Sequence, residues 1–357
     1  MFQDGKCEMA NQTLGDTQSN SISATKVLRM CLLSPFAIVY GLGVWLRNKL
    51  FDLKILESRA YSVPIICVGN LELGGSGKTP MSDWLIQKLH KKYKIAYLSR
   101  GYKRKSKGPL LANAQHSIDD LGDEPYLIFQ RWNQHIQLVV DADRRRGIEL
   151  ITHNFPEVNL IILDDGYQHR WVLPKINILL TPFSNPFYFN FLLPVGTLRD
   201  EKSQYKRADL VVFSRSPAFS NDLLNDLKQH WNHKELMEKP LFMSSIQYLQ
   251  PVNWKGEILP PTQKLTAIAG LANNEPFFSK IKLLYTIDQF VSKPDHYAYL
   301  PGFFAENQLE TSTIITTEKD FYKLLQVAPD RDRIYYLPIC IEIFPEVSFI
   351  QAIESQL

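Results

Sequence analysis

The chain has few cysteines, little net charge and, near its N-terminus, a long apolar stretch free of charged side chains. Cys7, Cys31, Cys67 and Cys340 are its only cysteines in 357 residues, and their spacing fits neither a metal-ligand set nor a disulfide framework. That excludes a small stapled secreted module and points to a reducing cytoplasm. A net charge of +3, with 45% hydrophobic and 22% charged residues, excludes global disorder and by itself implies no class of partner. Acidic residues are missing from Trp84 to Ile118, where Lys88, Lys91, Lys92, Lys94, Arg100, Lys103, Arg104, Lys105 and Lys107 fall. Such a run is either a solvated face or a surface for an anionic substrate or lipid. No internal repeat or low-complexity linker divides the chain, whose length suits two domains.

The uncharged stretch is Met30–Leu46, "MCLLSPFAIVYGLGVWL", flanked by Lys26, Arg29, Arg47 and Lys49. It is short for a bilayer span, and Pro35, Gly41 and Gly43 weaken it further. The continuation "RNKLFDLKILESRAY" offers no small-residue cleavage site of the kind a signal peptide needs. The expectation is an apolar helix at the membrane interface, over 30–60, with its basic flanks on lipid headgroups. A helix packed on the protein's own core is the alternative. Residues 1–29, rich in Asn, Gln, Ser and Thr, read as a disordered polar tail.

Downstream, "GNLELGGSGKTP" at 69–80 is nearly a phosphate-binding loop: Gly77-Lys78-Thr79 closes the pattern G-x-x-x-x-G-K-[ST], but Glu72 stands where its first glycine belongs. The apolar, β-branched run Val63–Gly69 before it predicts a buried strand, and Trp84, Leu85 and Leu89 after it predict a helix with Pro80 in its first turn. Strand, glycine loop and helix is the setting such a loop requires. Gly74, Gly75 and Gly77 would let backbone N–H groups close on phosphate, Lys78 would reach the β- and γ-phosphates, and Thr79 would bind Mg²⁺. Leu73 and Ser76 complete the loop, and the Glu72 side chain must point away from the phosphates. A glycine-rich turn with a chance Gly-Lys-Thr is the bland alternative.

Strands over 94–99, 136–141, 160–164, 176–181 and 209–214 alternate with helices over 123–132 and 143–153, which predicts a parallel α/β sheet of the phosphate-loop NTPase type flanked by helices, over 61–235. Residues 236–357 read as a smaller C-terminal α/β domain. Ligands on such sheets sit at the carboxyl ends of the strands. "LIILDDG" brings Asp164 and Asp165 to one such end, where a carboxylate can hold Mg²⁺ or simply cap a turn; Gln168 and His169 follow. Asp123 and Glu124 open a predicted helix, as dipole-complementing acids or as the source of a general base. Arg199 could clamp phosphate or pair with Asp200 or Glu201 on the surface. Arg100 and Tyr102 follow the second strand. His296 taken alone reads as a structural histidine.

The motifs "VGNLELGGSGKTP", "LSRGY", "GDEP", "DDGYQH", "LLPVGTLRD…RAD", "DHY" and "TTEKD", in that order, resemble the tetraacyldisaccharide 4′-kinase family from about Met30 almost to the C-terminus. The resemblance implies transfer of the γ-phosphoryl group of ATP, with Mg²⁺, to the 4′-hydroxyl of a tetraacylated glucosamine disaccharide 1-phosphate, giving lipid IVA in lipid A biosynthesis. It implies work on the cytoplasmic face of the bacterial inner membrane, through an N-terminal membrane-associating helix; the expectation for partners is the glycolipid and the membrane surface, with a monomer and no nucleic acid. By position in the motifs, Asp123 falls on the catalytic aspartate with Glu124 beside it, and His296 on its supporting histidine. Lys78 and Thr79 match the phosphate-loop pair, and Asp164, Asp165, Gln168 and His169 the acidic-strand motif. Tyr102 falls on a tyrosine near the nucleotide, and Arg144 and Arg199 on arginines near phosphate or substrate. The family has a residue other than glycine where Glu72 stands. One departure is Asp200, where the family carries glutamate. The rival is a membrane-associated phosphate-loop ATPase or GTPase switch, but "TTEKD" lacks the N/T-K-x-D spacing that reads guanine. A kinase for a soluble sugar or nucleoside would leave the 30–46 segment without a use.

Overall fold

Runs of β-branched and aliphatic residues build the strands. These are β1 (Ile65–Asn70), β2 (Ile95–Ser99), β3 (Leu110–Leu111), β4 (Ile136–Val140), β5 (Leu160–Asp164), β6 (Ile176–Pro182), β7 (Leu210–Ser214) and β8 (Leu241–Tyr248), then β9 (Leu265–Ala269), β10 (Ile287–Ser292), β11 (Thr313–Thr317), β12 (Ile334–Leu337) and β13 (Ile339–Phe344). The computed structural model describes residues 24–217, 219–230, 239–260 and 264–357. Its helices are α1 (Ala24–Asp52), α2 (Lys78–Leu89), α3 (Ile118–Leu121), α4 (Asp123–Trp132), α5 (Arg144–Asn154), α6 (Asn221–His230), α7 (Glu275–Leu284), α8 (Phe303–Glu306), α9 (Glu318–Val327) and α10 (Glu346–Glu354).

A nine-stranded sheet runs β13-β8-β7-β6-β1-β5-β2-β4-β3. It is parallel except at its two edges, where β13 opposes β8 and β3 opposes β4. Every residue of β1, β2, β5 and β7 is buried, as a sheet covered by helices on both faces requires. One face packs against Trp84 and Leu85 of α2, Ile128 and Phe129 of α4 and Phe349 and Ile353 of α10. The other packs against Ile148 and Ile151 of α5 beneath β2, β4 and β5, and against Phe187, Tyr205 and Leu224 beneath β6 and β7. The predicted α/β sheet is present.

A second, four-stranded parallel sheet, β10-β9-β11-β12, carries its own apolar clusters with α7, α8 and α9. The strand β8, placed by sequence at the start of the smaller unit, joins the large sheet, and the chain returns there a second time through β13 and α10. The small sheet is therefore an excursion out of the large one. The boundary placed at 235/236 falls outside the described residues, as do residues 1–23 of the expected tail; α1 begins at Ala24.

One segment of α1, Met30–Asp52, is long and apolar enough to cross a membrane by length and composition. Leu32, Phe36, Ile38, Val39, Leu42, Trp45 and Leu46 are exposed along it, which removes the alternative of a helix buried in its own core. Only its C-terminal end is sunk into the protein, at Asn48 and Phe51. The basic run is not one surface. Lys88 and Lys92 pair with Glu346 and Glu354 of α10, before β2 begins, whereas Arg100 to Lys107 follow the carboxyl end of β2, about 16 Å away at ~3.3 Å per strand residue.

Candidate active site

The glycine loop spans from β1 to α2 beneath the carboxyl edge of the large sheet. Gly77 caps α2 with φ of 85°, a left-handed conformation that glycine adopts without strain, so the loop can turn its N–H groups inward ahead of Lys78 and Thr79. Glu72 explains the missing first glycine. Its backbone bridges Leu198, Leu73 N–H donates to Thr197 O at 2.7 Å, and its buried carboxylate accepts from Asn190 Nδ2 at 3.0 Å. The approach to the loop is thus pinned to the 190–198 segment and the side chain points away from the phosphate cradle, as expected. Burial pushes its carboxyl up, partly opposed by the Asn190 hydrogen bond. Ser76 is buried, while Leu73 is exposed at the rim.

At the end of β5, Asp164 and Asp165 separate into different roles. Asp164 is fully buried and accepts from Ser82 Oγ at 3.1 Å and Tyr97 OH at 2.8 Å. Burial, together with the neighbouring carboxylates of Glu124 and Asp165, pushes it up to about 6. Asp165, at a left-handed φ of 48°, faces Lys78 Nζ at 3.5 Å and accepts from Arg199 through both carboxylate oxygens. Against the penalty of burial, Lys78 and Arg199 hold it well below the usual carboxylate range. Asn70 joins the same knot: its Oδ1 accepts from Lys78 Nζ at 3.2 Å and Arg199 Nη2 at 2.6 Å. Arg144, also buried, donates to Asp165 O at 3.2 Å, and Gln168 Nε2 to Asn70 O at 2.8 Å. His169 lies 3.7 Å from Asp143; burial and the Arg144 charge lower it to about 4, so it is neutral at neutral pH.

The second cluster forms where the small sheet meets the large one. Gly122, at φ of 90° and with Tyr102 O too near for a β-carbon, ends α3 and turns directly into Asp123, the first residue of α4. His296, far away in sequence and itself at φ of 61°, places Nδ1 2.8 Å from Asp123 Oδ2. Lys323 Nζ donates to the same oxygen at 2.6 Å, and Lys319 Nζ lies 3.7 Å away. Burial works against ionisation, but the His296 hydrogen bond and the Lys323 and Lys319 charges hold Asp123 at about 2. The Tyr102 ring meets the His296 ring edge-on at 5.5 Å. Glu124, next in α4, acts electrostatically on both Asp164 and Lys319, one from each cluster.

Sequence reasoning missed Asn70, Lys319, Lys323 and Arg215. The lysines sit one turn apart on α9 in "EKDFYK", a spacing that could have shown a paired positive face. Arg215, at φ of 58° just after β7, reaches within 3.1 Å of where a Gly75 β-carbon would stand, and only the fold brings it to the loop. Asp200 does not enter the cleft; it turns back to α1 through Asn48 Nδ2 at 2.8 Å and Arg47 Nη2 at 3.3 Å.

A phosphate loop at the head of a parallel sheet, with an acidic strand end beside it and a carboxylate–histidine pair above it, defines a nucleotide-dependent phosphotransferase. A family model described as Tetraacyldisaccharide-1-P 4'-kinase matches residues 29–357, and the chain belongs to that family. Among its relatives is a tetraacyldisaccharide 4'-kinase of Flavobacterium psychrophilum, 39% identical over 86% of this chain and 90% of the relative. One from Flavobacterium johnsoniae is 36% identical over 86% and 91%. A crystal structure of the "apo" form of LpxK from Aquifex aeolicus in complex with ATP superposes with a TM-score of 0.74 at 30% identity, covering 92% of this chain and 99% of that one. The chain is a kinase of lipid A biosynthesis.

Proposed function

We propose that the cleft transfers the γ-phosphoryl group of ATP to the 4′-hydroxyl of tetraacyldisaccharide 1-phosphate, giving lipid IVA. The observation that carries this reading is the contact of Asp123 with His296, because it sets an oriented, largely buried proton acceptor at the start of α4, a helix in contact with the α2 helix that follows the phosphate loop. Phosphoryl transfer needs positioning and charge neutralisation more than covalent help. The N–H groups of Gly74, Gly75, Ser76 and Gly77 and the Lys78 ammonium hold the triphosphate. Arg199, with Arg144 behind it, supplies charge at the transferred group. Asp123 accepts the proton of the sugar hydroxyl. With a carboxyl held at about 2 it is a weak base, suited to taking that proton late, once the new O–P bond has made the hydroxyl acidic. His296 orients it, and Tyr102 packs on that histidine.

The residues around Asp164 fit Mg²⁺: two adjacent carboxylates end β5, Asp164 is raised by its burial and then by Glu124 and Asp165, and magnesium takes only one or two protein carboxylates beside phosphate and water. Thr79, Asp164 and Asp165 would hold it, and it would neutralise charge on the β- and γ-phosphates.

The substrate's acyl chains keep it in the bilayer, at ~0.8 kcal/mol per buried methylene, so the kinase must work at the membrane surface. The exposed apolar flank of α1 supports this docking. Phe189 and Phe191 extend it, since they stand exposed on the segment whose Leu192 lies against Gly41, while Phe187 of the same run is core. The cytoplasmic inner-membrane face and a monomeric state belong to this reading. The test supplies γ-labelled ATP with a tetraacyldisaccharide 1-phosphate acceptor in mixed micelles: label should move to the glycolipid with little free phosphate. Hydrolysis without transfer would instead establish the ATPase-switch reading. Deleting residues 30–46 should release the protein from membranes; undiminished membrane binding would remove α1 from the docking surface.

A further inference from the structure

The buried end of α1 is sewn to both chain segments that carry the phosphate-facing groups. Tyr40 OH donates to Arg199 O at 2.9 Å. About two turns further on, Asn48, only 1% exposed, gives its Nδ2 to Asp200 Oδ1 at 2.8 Å and Glu201 Oε2 at 3.0 Å. Asp200 is wholly buried and also meets Arg47 of α1 at 3.3 Å, the Glu201 N–H at 3.0 Å and Arg207 at 3.9 Å. Loss of the α1 donors would leave this buried carboxylate poorly compensated, so the helix seat is specified. On the other side, Arg170 donates to Asn48 O at 3.1 Å and Asp52 Oδ1 at 2.8 Å, and Trp171 packs on Phe51 at 4.9 Å. Arg170 directly follows the Asp165–His169 stretch. The Arg199 guanidinium then reaches back to Asp165 and Asn70, which closes a ring running from α1 to Arg199, to Asp165, to Arg170 and back to α1.

We propose that Tyr40 and Asn48 are positioning residues for phosphoryl transfer, through which the seat of α1 sets where the Arg199 guanidinium stands. This rests on the role given above to Arg199. An arginine side chain has many rotamers, and its reach is defined only when its backbone is fixed. Displacements of ~1 Å far from the chemistry can cost on the order of a hundredfold in rate. Here the Arg199 N–H is tied to Leu71 O at 2.9 Å, and its carbonyl is tied to Tyr40 of the helix whose apolar flank faces outward. The same element therefore locates the enzyme on its lipid surface and aligns a cation at the transferred phosphate. The Asp200 departure from the family's glutamate fits this account: the carboxylate works toward the helix, and Asn48 and Arg47 meet it at its shorter reach.

Tyr40→Phe keeps the ring and removes only the hydroxyl. Measured with substrate in mixed micelles, it should lower kcat about three- to tenfold, the worth of one hydrogen bond. KM for ATP, melting temperature and the fraction bound to phospholipid vesicles should be unchanged. Asn48→Ala should cost more in kcat and lower the melting temperature as well. In an Arg199→Ala background Tyr40→Phe should have no further effect. An unchanged kcat for Tyr40→Phe, or the same fold loss with and without Arg199, overturns the proposal while leaving the reading of Arg199 intact. Wild-type turnover by Arg199→Ala itself would overturn both.

Discussion

Asp123 opens α4 and Asp164 closes β5, and Glu124 lies between them, yet the two carboxylates live in opposite electrostatic surroundings. Asp123 is crowded by cations from the small sheet and titrates at about 2. Asp164 is crowded by carboxylates within the large sheet and titrates at about 6. Burial pushes both carboxyls up, but around Asp123 the neighbouring cations reverse its effect, whereas around Asp164 the neighbouring carboxylates add to it.

The largest test of this contrast is Asp123→Ala, which should cut lipid phosphorylation by about 10²–10⁴-fold, the usual weight of a general base, while ATP still binds. Unchanged turnover would end its role as proton acceptor. Next comes Asp164→Asn. Because Asp164 is raised from its ordinary 3.8 to about 6, folding stability is lost as pH rises from 3.8 through about 6 and stays lost above it. The amide should therefore raise the melting temperature more at pH 7.5 than at pH 5, and lower Mg²⁺-dependent turnover about a hundredfold. A melting temperature equally shifted at both values would break the electrostatic account. Lys323→Met should have a smaller effect. The stabilisation from Asp123 is present above pH 3.8 and lost as pH falls through about 2; removing one cation raises that point, so acid unfolding should begin at higher pH. Last, Tyr97→Phe deletes a hydrogen bond that lowers Asp164, and should move the acid limb of Mg²⁺-dependent turnover upward by a fraction of a pH unit.

The same contrast separates what could be read from the chain from what could not. Lys78, Thr79, Asp164 and Asp165 lie where strand and helix periodicity put them, because a parallel sheet gathers its carboxyl ends by rule. The neighbours that give Asp164 its raised titration are likewise local to the large sheet. Asp123 owes its state to His296, Lys319 and Lys323, all from the excursion through the small sheet. No spacing in the chain announces that meeting; the resemblance to known kinases named His296 but not the lysines. The helix Met30–Leu46 was legible as apolar, whereas the polar seam at its far end, Asn48 to Asp200, joins residues that look like surface charges in sequence.

The return of β13 and α10 to the large sheet has a mechanical consequence. The chain leaves toward the small sheet after β8 and comes back at Pro338, and these two crossings are clasped together, with Leu249 N–H donating to Pro338 O at 2.9 Å. Arg131 of α4 fastens Glu318 of α9 from a third side, at 2.8 Å. The clasp at the root and this tie at the far edge together set the register in which His296, Lys319 and Lys323 meet Asp123.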